Sequence, residues 1–311
     1  MAKNMSLRNS LILVFTALIW GVAFVAQREG GDATGPYTFI FLRYIIGGVV
    51  LIPVIGLLDR AGISADTKPK TKEDRILNLK GGIACGICLG TASIFQQVGM
   101  YLGTAAGKAG FLTACYIILV PILGLFLKKK CGINVWIAVL VTVAGLYLLC
   151  INESLTMQKS DILVLCCSLV FAMHILTIDH FINRGANGVR MSCIQFFVSS
   201  VFGLVPMFFI ELHGSFGELL PALTVAFSGK ALISILYTGI MSSGVAYTLQ
   251  IIGQKDVNPT VASLIMSLES VFSVLAGWVI LHETLSLKEG LGCVLIFGAI
   301  VLAQLPQKKK A

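Results

Sequence analysis

The sequence predicts an all-α membrane protein of ten transmembrane helices, arranged as two inverted five-helix repeats. Three observations carry that prediction. Hydrophobic residues make up 57% of the 311-residue chain and charged residues 12%, where a soluble domain carries about 25%. Apolar runs of spanning length follow one another with brief polar breaks. Prolines, glycines and glutamines recur at a constant offset of 153 residues.

A span needs about 20 mostly apolar residues. Ten stretches meet this: 9–27, 36–58, 81–101, 105–127, 132–151, 161–180, 190–211, 230–252, 257–281 and 287–305. The longer connections, 59–80 and 212–229, leave no room for a soluble domain. The first run lacks a small-residue cleavage site and reads as a span, not a removed signal. Basic residues set the orientation. Of the 23 Lys and Arg, 17 lie on the side of the termini and even-numbered loops, five lie on the other, and Arg43 lies inside a span. That bias predicts a multi-pass inner-membrane protein with both termini in the cytoplasm.

Sliding the chain by 153 residues sets Pro53 on Pro206, Gly86 on Gly239, Gln97 on Gln250, Gly124 on Gly277 and Gly145 on Gly298. The halves are then 1–151, with helices one to five, and 152–311, with helices six to ten. Five is odd, so the second half starts on the opposite side of the membrane. Inverted repeats are a recurrent plan of secondary transporters, with a substrate site near the midplane and alternating access. The four-residue spacing of Gly82, Gly86 and Gly90 reads as close helix packing.

Other classes are disfavoured. The net charge of +8 comes from residues in short loops, which form no continuous nucleic-acid face. The nine cysteines lie almost entirely in apolar segments and read as small buried hydrophobes. Cys85-Gly-Ile-Cys88 has no second ligand pair, so no metal is expected. Gly290-Leu-Gly292 lacks a third glycine and no Walker motif occurs, so neither a nucleotide cofactor nor an ATP-driven pump is expected. No His-Glu-x-x-His or paired carboxylates point to an enzyme. Asn152-Glu-Ser154 is a glycosylation sequon on the outer side, and Lys128–Lys130 and Lys308–Lys310 read as topology anchors.

Two segments then matter together: AGFLTACYIILVPILG at 109–124 and ASLIMSLESVFSVLAGWVILHETLS at 262–286. Both resemble the repeated signature of the drug/metabolite transporter superfamily, EamA family. The second carries Leu268-Glu269-Ser270-Val271-Phe272 and then His282-Glu283-Thr284-Leu285-Ser286; Trp20-Gly21 and Arg43 also fit the pattern. Ser270 stands where that family has proline, and His282 where it has glycine. The resemblance implies ten helices, two repeats, both termini inside, and a permease that acts as a secondary carrier, commonly an exporter, without its own ATPase. The serine implies a straighter ninth span.

Glu269 lies about 12 residues into the ninth span, about 18 Å at 1.5 Å per residue. That is near the centre of a core about 30 Å thick, where an ionisable group is a functional hypothesis by default. Three roles are open to it: binding a cationic or amino group, carrying a proton, or capping a neighbouring helix. The repeat maps it onto Tyr116, across a central cavity. Trp20 offers an aromatic wall and one donor, and Arg43 an attraction for an anionic group. Gln97 and Gln250 are repeat-related gates or helix-end caps. His174 is a proton relay or a packing residue, and Asp179 a solvated helix end. Ser242, Ser243 and Tyr247 are cavity-lining groups or interhelical hydrogen-bonders. The reading that follows is an exporter of amino acids or related small metabolites. Its partners are the small-molecule substrate, membrane lipids and protons as coupling ion, in a monomer or weak homodimer. A carrier of drug-like cations, a lipid flippase and, behind these, an intramembrane enzyme are the alternatives.

Overall fold

The computed structural model describes residues 2–62, 68–104, 106–129, 132–150, 157–280 and 286–304. Every regular element among them is helical: α1 (Ala2–Thr34), α2 (Pro36–Arg60), α3 (Lys72–Tyr101), α4 (Ala106–Ala114), α5 (Tyr116–Phe126), α6 (Ile133–Cys150), α7 (Lys159–Ile182) and α8 (Gly188–Pro206). A π turn (Met207–Glu211) extends α8. Then come α9 (Leu219–Ala226), α10 (Gly229–Leu236), a π helix (Tyr237–Tyr247), α11 (Thr248–Gly253), α12 (Pro259–Met266), α13 (Leu268–Ile280) and α14 (Leu287–Gln304). Helix occupies each of the ten expected windows. Among the described residues, seven stretches are long and apolar enough to cross a membrane, those of windows one to four and six to eight. Windows five and nine hold shorter apolar stretches, Ile133–Leu149 and Pro259–Leu275. Leu140, Val294 and Val301 are exposed, as lipid-facing side chains are. The sequon at Asn152, the His282–Leu285 stretch, Lys130 and the lysine tail lie outside the described residues.

Three expectations are corrected. The 59–80 connection is helical from Lys72, because Thr71 and Asp74 form a capping box that satisfies the first free N–H groups. The 212–229 connection contains α9. The fourth and ninth spans are each broken, at Cys115 and Ser267. The ninth is interrupted although it lacks the proline, and its serines back-bond beside the interruption: Ser263 Oγ donates to the Thr260 carbonyl at 2.8 Å and Ser267 Oγ to the Leu264 carbonyl at 2.7 Å. Such back-bonding competes with the helix ladder. The backbone then tightens, with Ser270 N donating to the Ser267 carbonyl. The fourth span tightens in the same way, with Ile118 N donating to the Cys115 carbonyl, and Pro121 withholds an N–H one turn later.

Besides α9, the elements form ten successive helical rods among the described residues. The fourth is α4–α5, the eighth α10 through α11, and the ninth α12–α13. Their neighbours follow a rule. Rod three packs on rods six and seven, and rod eight on rods one and two. Rod four packs on rod six, and rod nine on rod one. Rods two and seven pair, as do five and ten. Each pairing survives exchange of rod n for rod n+5.

Small residues set the distances. A Cβ on Gly21 would lie 2.7 Å from the Glu269 carbonyl oxygen and 2.6 Å from Phe272 Cβ, so only glycine lets α1 approach α13 this closely. Gly82, Gly86 and Gly90 of α3 lie against Ile194, Val198 and Phe202 of α8. Charge fixes α7 to the fourth rod at both ends. Near its start, buried Asp161 accepts from Lys108 at 2.5 Å, Thr104 Oγ1 at 2.9 Å and the Gln158 N–H at 2.7 Å. Near its finish, Asp179 pairs with Lys129. Asp179 is thus buried, not the solvated helix end expected, because Lys129 folds back onto it.

Candidate functional site

A cavity of about 500 Å³, its mouth included, lies among rods one to four, six, eight and nine. Both helix breaks border it. Tyr116 is the first residue after one and Glu269 the second residue after the other. The 153-residue offset brings the pair into contact: the Tyr116 hydroxyl donates to Glu269 Oε1 at 3.4 Å. Glu269 also sits in the first turn of α13, where the helix dipole favours a carboxylate.

Arg43 lines the same cavity and is buried. Its Nη1 donates to Gln27 Oε1 at 2.6 Å, and its guanidinium lies 4.8 Å from the centre of the Tyr44 ring. Stacking on an aromatic face suits the weakly hydrated guanidinium and holds it still. Neither Arg43 nor Glu269 forms an ion pair among the described residues. Arg43 Nε, Ser242 Oγ and Gln250 Oε1, all on cavity-lining residues, also meet no partner among them. Buried polar groups are almost always bonded, and although unpartnered atoms also occur elsewhere in the bundle, on Thr142 and Gln254 for example, these three share one cavity with an unpaired carboxyl and guanidinium.

The remaining wall is aromatic. Trp20 and Tyr247 lie 4.6 Å apart between ring centres, and the Trp20 indole N–H donates to the Ser242 carbonyl at 3.2 Å. That carbonyl belongs to the π helix, whose wider turn frees backbone groups; such segments frequently sit at functional sites. Phe24 and Phe171 continue the wall, and Gln96 donates to Thr113 Oγ1 at 3.0 Å beside it.

Of the residues singled out from sequence, Glu269, Tyr116, Trp20, Arg43, Ser242, Tyr247 and Gln250 line this cavity. Gln97, His174 and Ser243 do not. Gln97 Nε2 donates to the Gln27 carbonyl at 3.0 Å, behind the wall. His174 bonds Gln195 at 3.1 Å and meets Tyr247 edge-on. Ser243 faces α2, where a Cβ on Gly47 would touch it. Sequence reasoning passed over Gln27, Phe24, Thr113 and Phe171. For the first two a signal existed: Trp20, Phe24 and Gln27 follow the i, i+4, i+7 spacing of one helix face.

Comparison with known proteins agrees with this architecture. The family model described as EamA-like transporter family matches residues 8–151 and again 158–305. An uncharacterized transporter of Archaeoglobus fulgidus is 27% identical over 94% of this chain and 84% of its own length. The uncharacterized transporter YoaV of Bacillus subtilis is 24% identical over 91% of this chain and 92% of its own. A crystal structure covers 96% of both chains with a TM-score of 0.71 and 18% identity, a likeness of fold.

Proposed function

The chain belongs to the EamA-like transporter family, and from that premise we propose that it is a secondary active carrier exporting amino acids or related small zwitterionic metabolites. The export runs across the inner membrane by alternating access, with both termini in the cytoplasm and protons as coupling ion. One observation carries the substrate class: a buried guanidinium and a buried carboxyl line one cavity and do not pair. A substrate carboxylate is held by Arg43, whose planar fork matches its two oxygens. A substrate ammonium is held by Glu269. Trp20, Phe24, Phe171 and Tyr247 surround the apolar part of the substrate. A drug-like cation would satisfy Glu269 and the aromatic rings but be repelled by Arg43, so the zwitterion is favoured.

The exchange of rod n for rod n+5 among helix neighbours, together with the two family matches, supports the two-repeat, inverted arrangement. In that arrangement the cavity opens alternately to the two sides as one helix bundle, built from rods of both repeats, moves against the other. The lysine and arginine bias supports the orientation.

The test is efflux from proteoliposomes loaded with a mixture of amino acids, their decarboxylated amines and cationic dyes, read by mass spectrometry beside protein-free vesicles. Zwitterions are expected to leave at least tenfold faster than from empty vesicles, and faster with a pH gradient. Equal efflux of the parent amino acids and their amines would remove Arg43 from recognition, and no efflux at all would remove the substrate class. Arg43→Gln is expected to raise KM for the exported zwitterion at least tenfold, about 1.4 kcal/mol, with a smaller change for the amine. Unchanged KM would show that the guanidinium serves α1 and Gln27 alone.

A further inference from the structure

A second cavity, about 1000 Å³ with its mouth included, opens at the end of the bundle that the charge bias assigns to the cytoplasm. It is a groove. α8 packs along both α2 and α3, while those two helices touch each other little, so α8 forms the floor between them. Lys68, Arg75 and Arg190 line its outer rim, and Ile55, Leu79 and Ile194 its inner part.

The spacing is regular. On α3, Leu79 follows Arg75 by four residues; on α8, Ile194 follows Arg190 by four; on α2, Ile55 precedes Asp59 by four. Residues four apart share a helix face. On three helices, therefore, a charged rim is succeeded about 6 Å deeper by an apolar ring. Asp59 organises the rim: it accepts from Arg190 Nη2 at 2.6 Å and Nη1 at 3.2 Å, and pairs with Lys68 at 3.3 Å. One carboxylate against three cations leaves an excess of two positive charges. Arg75 is exposed and has no ion pair among the described residues.

We propose that this groove binds an anionic phospholipid, with its phosphate between Arg75, Arg190 and Lys68 and an acyl chain along Ile55, Leu79 and Ile194. A free phosphate has no use for the apolar ring, and a neutral lipid has none for the charge excess. Basic pockets between membrane helices on this side suit such headgroups.

The full chain in detergent is titrated with phosphatidylglycerol, phosphatidylcholine or inorganic phosphate, and bound lipid is counted by native mass spectrometry. Phosphatidylglycerol is expected to bind at least fivefold more tightly than phosphatidylcholine. Arg75→Gln, at an exposed position without an ion pair among the described residues, is expected to cost about fivefold in phosphatidylglycerol affinity and nothing for phosphatidylcholine, the loss of one basic contact near the surface. Arg8→Gln, an exposed cation elsewhere on the same side, should change neither. Equal affinity for the two lipids overturns the proposal. So does an equal loss from Arg8→Gln, which would mean diffuse surface charge. Displacement of phosphatidylglycerol by inorganic phosphate also overturns it, leaving an anion site in place of a lipid site.

Discussion

Glu269→Gln is expected to lower transport at least a hundredfold while the melting temperature stays within about 2 °C of the wild type. Glutamine has the shape of the carboxyl and still accepts the Tyr116 hydroxyl, so the contact across the cavity at 3.4 Å is kept. What is removed is the charge proposed to meet a substrate ammonium and to take up a proton. Losing a buried charged contact of this kind costs at least about 3 kcal/mol of binding, more than a hundredfold. Paired measurements of turnover in proteoliposomes and of thermal unfolding in detergent separate the roles. A large fall in melting temperature with turnover retained would show that Glu269 secures α13 to its neighbours and does not serve transport.

Asp161→Ala is expected to destabilise the protein by about 3 kcal/mol, the range for removing one partner of a buried pair, and to lower the melting temperature by at least about 5 °C. The Asp161 side chain is 1% exposed. It holds three groups at once: Lys108, Thr104 and the backbone N–H that opens α7. Alanine strips all three. Asp161→Asn keeps the shape and loses the ion pair, and should fall between. Thermal unfolding of the three proteins in one detergent is the measurement. A shift of under 1 °C for alanine would mean that the carboxylate is dispensable for joining the fourth rod to α7.

The helical windows were legible because a chain in lipid must bond its own backbone, and hydropathy records that demand directly. The breaks at Cys115 and Ser267 were not, since nothing in an apolar run says which serine hydroxyl turns back onto its own helix. Glu269 and Arg43 stood out as ionisable groups within apolar stretches, and a fixed offset led from Glu269 to Tyr116. Gln97 shared an offset with Gln250, yet only Gln250 reaches the cavity wall. An offset matches positions along the chain; which face a side chain takes depends on the neighbour it finds, here the Gln27 carbonyl. Lys108 and Lys159 contributed to the topology count alike. That Lys108 meets a buried aspartate 53 residues away depends on tertiary structure.

The lysines at the two ends of the fourth rod have a mechanical corollary. A beam clamped at both ends to a straight support cannot tilt as a whole; load applied to it is relieved at its weakest cross-section. For α4–α5 the clamps are Lys108 on Asp161 and Lys129 on Asp179, the support is α7, and the weak section is the interrupted ladder at Cys115. Any flexure of that rod would thereby be concentrated one residue from Tyr116, at the cavity wall.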